Sequence, residues 1–370
     1  MKAVILVGGE GTRLRPLTSN LPKPMIPLVN RPFLEHVIEY LKGYGITDLI
    51  LSMCYRPDVI ESHFGNGSAF GVNLTYVVEQ KPLGTAGGVK NVEKHLDGTC
   101  YVFNGDILTD LDLGAMLAYH REKAAKVTIS LTPVEDPTAY GLVEIEPEGA
   151  VTGFIEKPTW DRVTTNLINA GTYIVEPEVF RYVPPNQHYM FEHGLFPVML
   201  QVQDPLYGYA SNSYWIDIGT PQKYLNAHRD LLTGRMPKQL PGERLSHNVW
   251  VGEGCEIHSS AKLTGPIVLG NGVKIGPNSA LHGPVCMGGG CQVGRDSVIE
   301  DAVIWANTVI HDHVTMKGCV VANDCVIEDN TWVTQGAVIG DHCSIGAGNR
   351  LEHGIRIWPS RSIEPNSIAF

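Results

Sequence analysis

Near its start the chain carries Gly8-Gly9-Glu10-Gly11-Thr12-Arg13-Leu14, a glycine-rich turn with a cation behind it. Backbone N–H groups in such a turn can close on phosphate oxygens, and the N-terminus of a following helix adds a favourable dipole. The pattern is neither Gly-x-Gly-x-x-Gly nor Gly-x-x-x-x-Gly-Lys-Ser/Thr, so neither a dinucleotide fold nor a P-loop NTPase follows from it. Glycines in a strand-to-helix turn are often no more than a tight turn, but Arg13 and Lys23 point further. Lys23 stands in Pro22-Lys23-Pro24, where the flanking prolines restrict the backbone. Asp106 closes Phe103-Asn104-Gly105-Asp106, and Asp217 lies in Tyr214-Trp215-Ile216-Asp217-Ile218-Gly219. Carboxylates among apolar residues need a cation or strong hydrogen bonds to stay ionised. Mg2+ is usually held by one or two carboxylates plus substrate phosphates, which suits two isolated aspartates. Either alone could equally be a turn or a helix cap.

These residues must be positioned by regular elements. Lys2–Val7 is continuously apolar and bounded by glycine, the pattern of a strand buried on both faces. Leu34, Val37, Ile38 and Leu41 recur at helical spacing between Arg31 and Tyr44. Asp48–Met53, Leu74–Val78 and Tyr101–Phe103 read as strands, with Asp58–Phe64 and Ala86–Leu96 as helices. The alternation predicts an α/β fold, a Rossmann-like, mostly parallel sheet with helices on both faces. Ligands bind outside the carboxyl ends of strands in such sheets, where the Gly8–Gly11 loop and Asp106 both fall.

The segment 233–246, with Gly234, Pro237, Pro241 and Gly242, reads as a linker between a catalytic domain, 1–232, and a second domain, 247–370. In the second domain the period becomes six. Val251, Ile257, Leu263, Leu269, Ile275, Leu281, Met287, Val293 and Ile299 keep it, as do Val321, Ile327, Val333, Ile339, Ile345, Leu351 and Ile357. Ile304, Ile310 and Met316 join the two registers if two coils each lose one residue. This is the hexapeptide repeat of a parallel β-helix, three short strands to a coil. Small residues four places after each aliphatic, Cys255 and Cys291 among them, are expected where the interior is narrow.

The net charge of −11 argues against a nucleic-acid partner but not against a nucleotide substrate. No run of 18 apolar residues predicts a membrane span, and Ala3–Val7 is too short for a secretory signal core. The eight cysteines form no Cys-x-x-Cys pair, so reduced thiols in a cytoplasmic protein are expected.

The ordered motifs Gly8-Gly9-x-Gly11-Thr12-Arg13-Leu14, Pro22-Lys23-Pro24, Pro82-Leu83-Gly84-Thr85-Ala86-Gly87, Asn104-Gly105-Asp106, Tyr140-Gly141, Glu156-Lys157-Pro158, Asn169-Ala170-Gly171 and Trp215-x-Asp217-Ile218-Gly219 resemble the sugar-nucleotide pyrophosphorylases. Within that family the sequence is most similar to the mannose-1-phosphate guanylyltransferases, and the resemblance runs through a C-terminal left-handed β-helix. It implies that a sugar 1-phosphate attacks the α-phosphorus of an NTP and releases pyrophosphate, with Mg2+ as cofactor. Gly8, Gly9, Gly11 and Thr12 would hold the triphosphate, Arg13 and Lys23 would neutralise phosphate charge, and Asp106 and Asp217 would hold the metal. Lys157 would meet the sugar phosphate, while Gly141, Glu156 and Asn169 would bind or shape the sugar pocket. Gly84 and Thr85 would contact base or ribose. Glu79 offers acceptors to guanine N1 and N2 donors, which favours GTP over UTP or dTTP. The stretch Phe191-Glu192-His193-Gly194-Leu195 departs from the Glu-Lys-Glu-rich segment usual in the guanylyltransferases.

Three alternatives remain open. One is a UDP- or dTDP-glucose pyrophosphorylase. Another is acyl transfer by a histidine of the β-helix, among His258, His282, His311, His313, His342 and His353. The third is a non-catalytic regulatory or scaffold subunit, which would have little need of Arg13, Lys23, Asp106 and Asp217 together. The β-helix is expected to mediate homo-oligomerisation, and a chain ending near Pro241 to remain folded without it.

Overall fold

Lys2–Leu6 forms the strand that its apolar run predicts, and it pairs in parallel with Asp48–Met53 on one side and Cys100–Asn104 on the other. The computed structural model describes residues 1–369. Asn73–Val78 extends the parallel part beside Asp48–Met53. Helices Phe33–Gly43, Pro57–Phe64 and Gly84–Asn91 lie near their expected places, the last followed by a short 3-10 turn, Glu93–His95. The rest of the sheet is mixed. Leu167–Val175 runs antiparallel to Cys100–Asn104, to Val127–Pro133 and to Gly141–Ile145, which pairs antiparallel with Val151–Glu156. The sequence motifs Tyr140-Gly141, Glu156-Lys157 and Asn169-Ala170-Gly171 fall on this antiparallel part.

The chain packs as two units whose boundaries differ from those its composition suggests. The first comprises Met1–Gly9 and Leu34–Asp217, and the second comprises Glu10–Phe33 and Ile218–Phe370. Helix Pro221–Leu232, opened by Thr220 with Pro221 in its first turn, therefore packs with the β-helix rather than with the strands that precede it. The segment read as a linker contains a strand, Glu243–Ser246, which pairs with Val249–Val251 as the first rung of the β-helix.

The β-helix follows the repeat closely. Trp250, Val268, Cys286, Val303, Val320, Val338 and Arg356 stack in register at intervals of 18, 18, 17, 17, 18 and 18 residues. The two short coils are those the broken register requires, and their tight corners fall at Asp301 and Gly318, both with positive φ. Interior positions such as Ile267, Leu269, Met287, Ile304, Val321 and Ile339 form one apolar core. Alternate residues must then point outward. On this face Val268, Cys286, Val303, Val320 and Val338 point out yet are no more than 3% exposed. Helix Pro221–Leu232 packs against three of the strands that carry them, Ala280–Met287, Val298–Ile304 and Thr315–Val321. Each covered aliphatic contributes roughly 1.5–3 kcal/mol. Cys286 belongs to this outward row rather than to the interior, and its Sγ lies 3.3 Å from Asn30 Oδ1.

Three of the six β-helix histidines have a backbone explanation. His313, His342 and His353 sit at corners with φ of 58°, 57° and 55°, alongside Asn278, Asn307, Asp324 and Asn330. Asn, Asp and His adopt this left-handed conformation more readily than other side-chain-bearing residues. No helix of the described residues is long and apolar enough to cross a membrane.

Candidate active site

The glycine-rich loop is divided between the units, Gly8 and Gly9 in the first and Gly11, Thr12 and Arg13 in the second. In the second unit, Gly11 has φ 63°, and a Cβ there would stand 3.1 Å from Thr18 Cγ2 and 3.2 Å from Lys23 Cβ. Glycine is needed for both conformation and space. Thr18 Oγ1 donates to Gly11 O at 2.7 Å, so the turn is closed onto the segment that carries Lys23. Lys23 is buried at 8% exposure, whereas Arg13 is exposed. Only a 3-10 turn, Thr12–Leu14, follows the loop, so the anticipated helix N-terminus is not what would favour an anion here. Arg15 pairs with Glu10 at 3.2 Å.

In the first unit, strand pairing brings the aspartates together. Trp215–Asp217 runs antiparallel to Ile107–Thr109 with Asp217 opposite Ile107, the residue after Asp106. The turn holding Asp106 is fixed from below: Gly105 N donates to Leu6 O at 2.9 Å, and a Cβ on Gly105 would lie 2.6 Å from Val7 Cγ1. Asp217 is buried at 7% exposure and accepts from Tyr140 Oη at 3.1 Å. Trp215 Nε1 donates to Ala170 O at 2.8 Å, and its ring meets Tyr140 edge-on at 5.5 Å between centroids. Gly171, at φ 73°, lets Asn104 approach to where a Cβ would be 2.6 Å from Nδ2. Four motifs far apart in sequence thereby interlock. No group of three or more His, Cys, Asp or Glu placed to hold a metal occurs among the described residues. Two carboxylates with the remaining positions left to phosphates and water is nonetheless an ordinary donor set for a hard dication.

Gly141, Glu156 and Asn169 line one pocket with Phe154, Glu192 and His193. Lys157 is adjacent in sequence but largely exposed; its Nζ lies 3.7 Å from Glu156 Oε1. Glu192, in a π-helical turn over Phe191–Leu195, accepts from Asn169 Nδ2 at 2.8 Å through Oε1. Its Oε2 is buried with no hydrogen-bond partner among the described residues. Burial raises the Glu192 carboxyl above its ordinary pKa, and the nearby Glu156 charge adds to the rise. In the sequence Glu192 and His193 stand out only as part of a segment that departs from the guanylyltransferases, without a site role. An acid set between Tyr189-Met190-Phe191 and Leu195-Phe196 was the available signal, the same one that singled out Asp106.

The base region is more internally engaged than the sequence suggests. Glu79 is buried, its Oε1 accepting from Ser52 Oγ at 2.8 Å and its Oε2 from Leu83 N at 2.9 Å. It braces the loop leading into helix Gly84–Asn91. Thr85 Oγ1 accepts from Phe191 N at 3.0 Å, and Gly84 has φ 74° where a Cβ would meet Tyr189 O at 2.8 Å. The loop carrying Gly84 and Thr85 is thus tied to the segment carrying Glu192.

Residues 2–234 match the family model described as nucleotidyl transferase, and residues 246–351 match one described as EIF2B subunit epsilon LbH domain. The chain is 41% identical to a mannose-1-phosphate guanylyltransferase of Mycobacterium tuberculosis, over 72% of this chain and 79% of that one. It is 35% identical to a UTP–glucose-1-phosphate uridylyltransferase of Synechocystis, over 72% of this chain and 73% of that one. It is also 35% identical to a mannose-1-phosphate guanyltransferase of Debaryomyces hansenii, over 99% of this chain and 98% of that one.

Proposed function

Since the chain belongs to the nucleotidyl transferase family, we propose that it transfers guanylyl from GTP to mannose 1-phosphate, giving GDP-mannose and pyrophosphate. The observation that carries the reading is the interlocking of Asp106, Asp217 and the Gly141–Glu156–Asn169–Glu192 pocket within one unit. Similarity to guanylyltransferases, over 72% of the chain in one case and 99% in another, supports guanosine as the nucleoside and mannose as the sugar.

The phosphate of the sugar substrate attacks the α-phosphorus, and pyrophosphate leaves. Little covalent work falls to the protein, so positioning and charge neutralisation carry the rate. Gly8, Gly9, Gly11 and Thr12 bind the triphosphate through backbone N–H groups. Arg13 and Lys23 offset charge on the transferring and leaving phosphates, and Lys157 meets the sugar phosphate. Asp106 and Asp217 hold a divalent cation, taken as Mg2+, which when bound neutralises phosphate charge. Glu156, Asn169 and Glu192 receive sugar hydroxyls; the unsatisfied Glu192 Oε2 is an acceptor suited to a hydroxyl donor. Glu79, Gly84 and Thr85 shape the base site, Glu79 by holding the loop. Self-association through the β-helix and a cytoplasmic location complete the reading.

Pyrophosphate release by the purified chain, across the common NTPs and the 1-phosphates of mannose, glucose and N-acetylglucosamine, with and without Mg2+, tests it. Release with GTP and mannose 1-phosphate that depends on Mg2+ is expected. No release with any pair would overturn it in favour of a non-catalytic subunit.

A further inference from the structure

The covered face of the β-helix ends at Arg356, the last residue of its outward ladder, stacked on Val338. Where the ladder from Val268 to Val338 is apolar and buried, this position is a cation whose Nη1 donates to two carbonyls of the phosphate loop, Arg15 O at 2.9 Å and Arg13 O at 3.3 Å. One coil earlier, Asp341 Oδ2 accepts from Asn20 Nδ2 at 3.4 Å, while its Oδ1 accepts from Asn323 N and Nδ2, both at 3.1 Å. The turn Thr12–Leu14 is closed by Leu14 N to Gly11 O at 2.9 Å and Arg15 N to Thr12 O at 3.2 Å. A turn so short is aimed by what holds its carbonyl side.

We propose that Arg356 is a positioning residue for Arg13, holding the turn from its carbonyl side so that the β-helix sets the aim of the loop's exposed cation. This rests on the reading of Arg13 as a phosphate-binding cation. A charge-assisted hydrogen bond is stronger than a neutral one, and both bonds come from one nitrogen. A lysine ammonium, also a single nitrogen, can therefore replace the guanidinium in part.

The test uses the full chain with Arg356→Ala, Arg356→Lys and, as a control on another face, Arg350→Ala, whose guanidinium lies 4.9 Å over the Trp332 ring. Two readouts are taken: amide hydrogen exchange of the Gly11–Leu21 segment and the kcat and KM of pyrophosphate release. Arg356→Ala is expected to speed exchange in that segment and lower kcat about ten-fold, with KM for the sugar phosphate unchanged. Arg356→Lys restores most of both, and Arg350→Ala changes neither. Unchanged exchange at Gly11–Leu21 in Arg356→Ala overturns the proposal, as does faster exchange spread over the whole β-helix. If the unmodified chain releases no pyrophosphate, the substrate reading fails, while the exchange result still decides whether Arg356 holds the turn.

Discussion

The acids and the cations proposed for this chemistry are held by different means. Asp106 and Asp217 lie on paired strands of the α/β unit, and side-chain bonds from Tyr140 and Trp215 lock the surrounding motifs together. Arg13 and Lys23 belong to an irregular segment, Glu10–Phe33, whose bonds run to the β-helix and the helix on its face. Asn30 Nδ2 donates to Met287 O at 2.8 Å, and Val29 N to His228 Nε2 at 3.1 Å. Tyr224 Oη donates to Pro27 O and accepts from Trp305 Nε1. The difference teaches that the β-helix is not an appendage. It is the floor on which one set of charges stands.

The largest effect follows from removing that floor. A chain ending after Pro241 would leave helix Pro221–Leu232 and the Glu10–Phe33 segment without the face they cover, contrary to the expectation of a separable catalytic domain. Such a truncation should lose its cooperative thermal transition; a sharp transition near that of the full chain would break the comparison. Next in size, Asp106→Asn and Asp217→Asn should each lower turnover by about a thousandfold or more while leaving the unfolding temperature close to wild type. Equal collapse of activity and fold would mean that these acids are structural.

His228 supplies a pH test on the β-helix side. Its Nε2 accepts from Val29 N and its Nδ1 donates to Tyr224 O at 3.1 Å, so the fold requires a neutral ring. Burial pushes its pKa down from 6.5 to about 4. The unfolded chain therefore takes up a proton before the folded one does, and stability present above pH 6.5 is lost as pH falls toward about 4. The loss is roughly 3 kcal/mol. Unfolding followed between those limits should show a steeper acid dependence in wild type than in His228→Gln, and equal slopes would remove His228 as the cause.

On the acid side, Glu192→Gln should raise KM for the sugar phosphate about ten-fold with no loss of unfolding temperature at neutral pH. A carboxyl whose pKa is raised by folding costs stability once it ionises, and the amide relieves that. A lower unfolding temperature with unchanged KM would make Glu192 a structural residue. The smallest change expected is Tyr140→Phe, which removes one bond to Asp217 and should lower kcat several-fold, read as the slope of pyrophosphate release against enzyme concentration.

Much of this architecture was legible in residue periodicity. The six-residue repeat marks the coils, and its broken phase marks the short corners at Asp301 and Gly318. The parallel strands were legible from their apolar runs. The antiparallel part was not, because Leu167–Val175 is as apolar as a parallel strand and direction leaves no trace in composition. Nor was the covered face, since Val268, Val303, Val320 and Val338 occupy positions where the repeat alone makes no distinction between open and buried. In the candidate site the motifs named the acids and the loop, but a place for Glu192 in the sugar pocket rests on its bond to Asn169. Glu79 stood out as a carboxylate beside a glycine-rich loop, and only its bonds to Ser52 and Leu83 show that it braces that loop.

The most direct test of the central claim is a competition. The chain is given equimolar GTP and UTP together with mannose and glucose 1-phosphates and Mg2+, and the nucleotide sugars are resolved by mass. GDP-mannose should be the dominant product. UDP-glucose in its place would contradict the account.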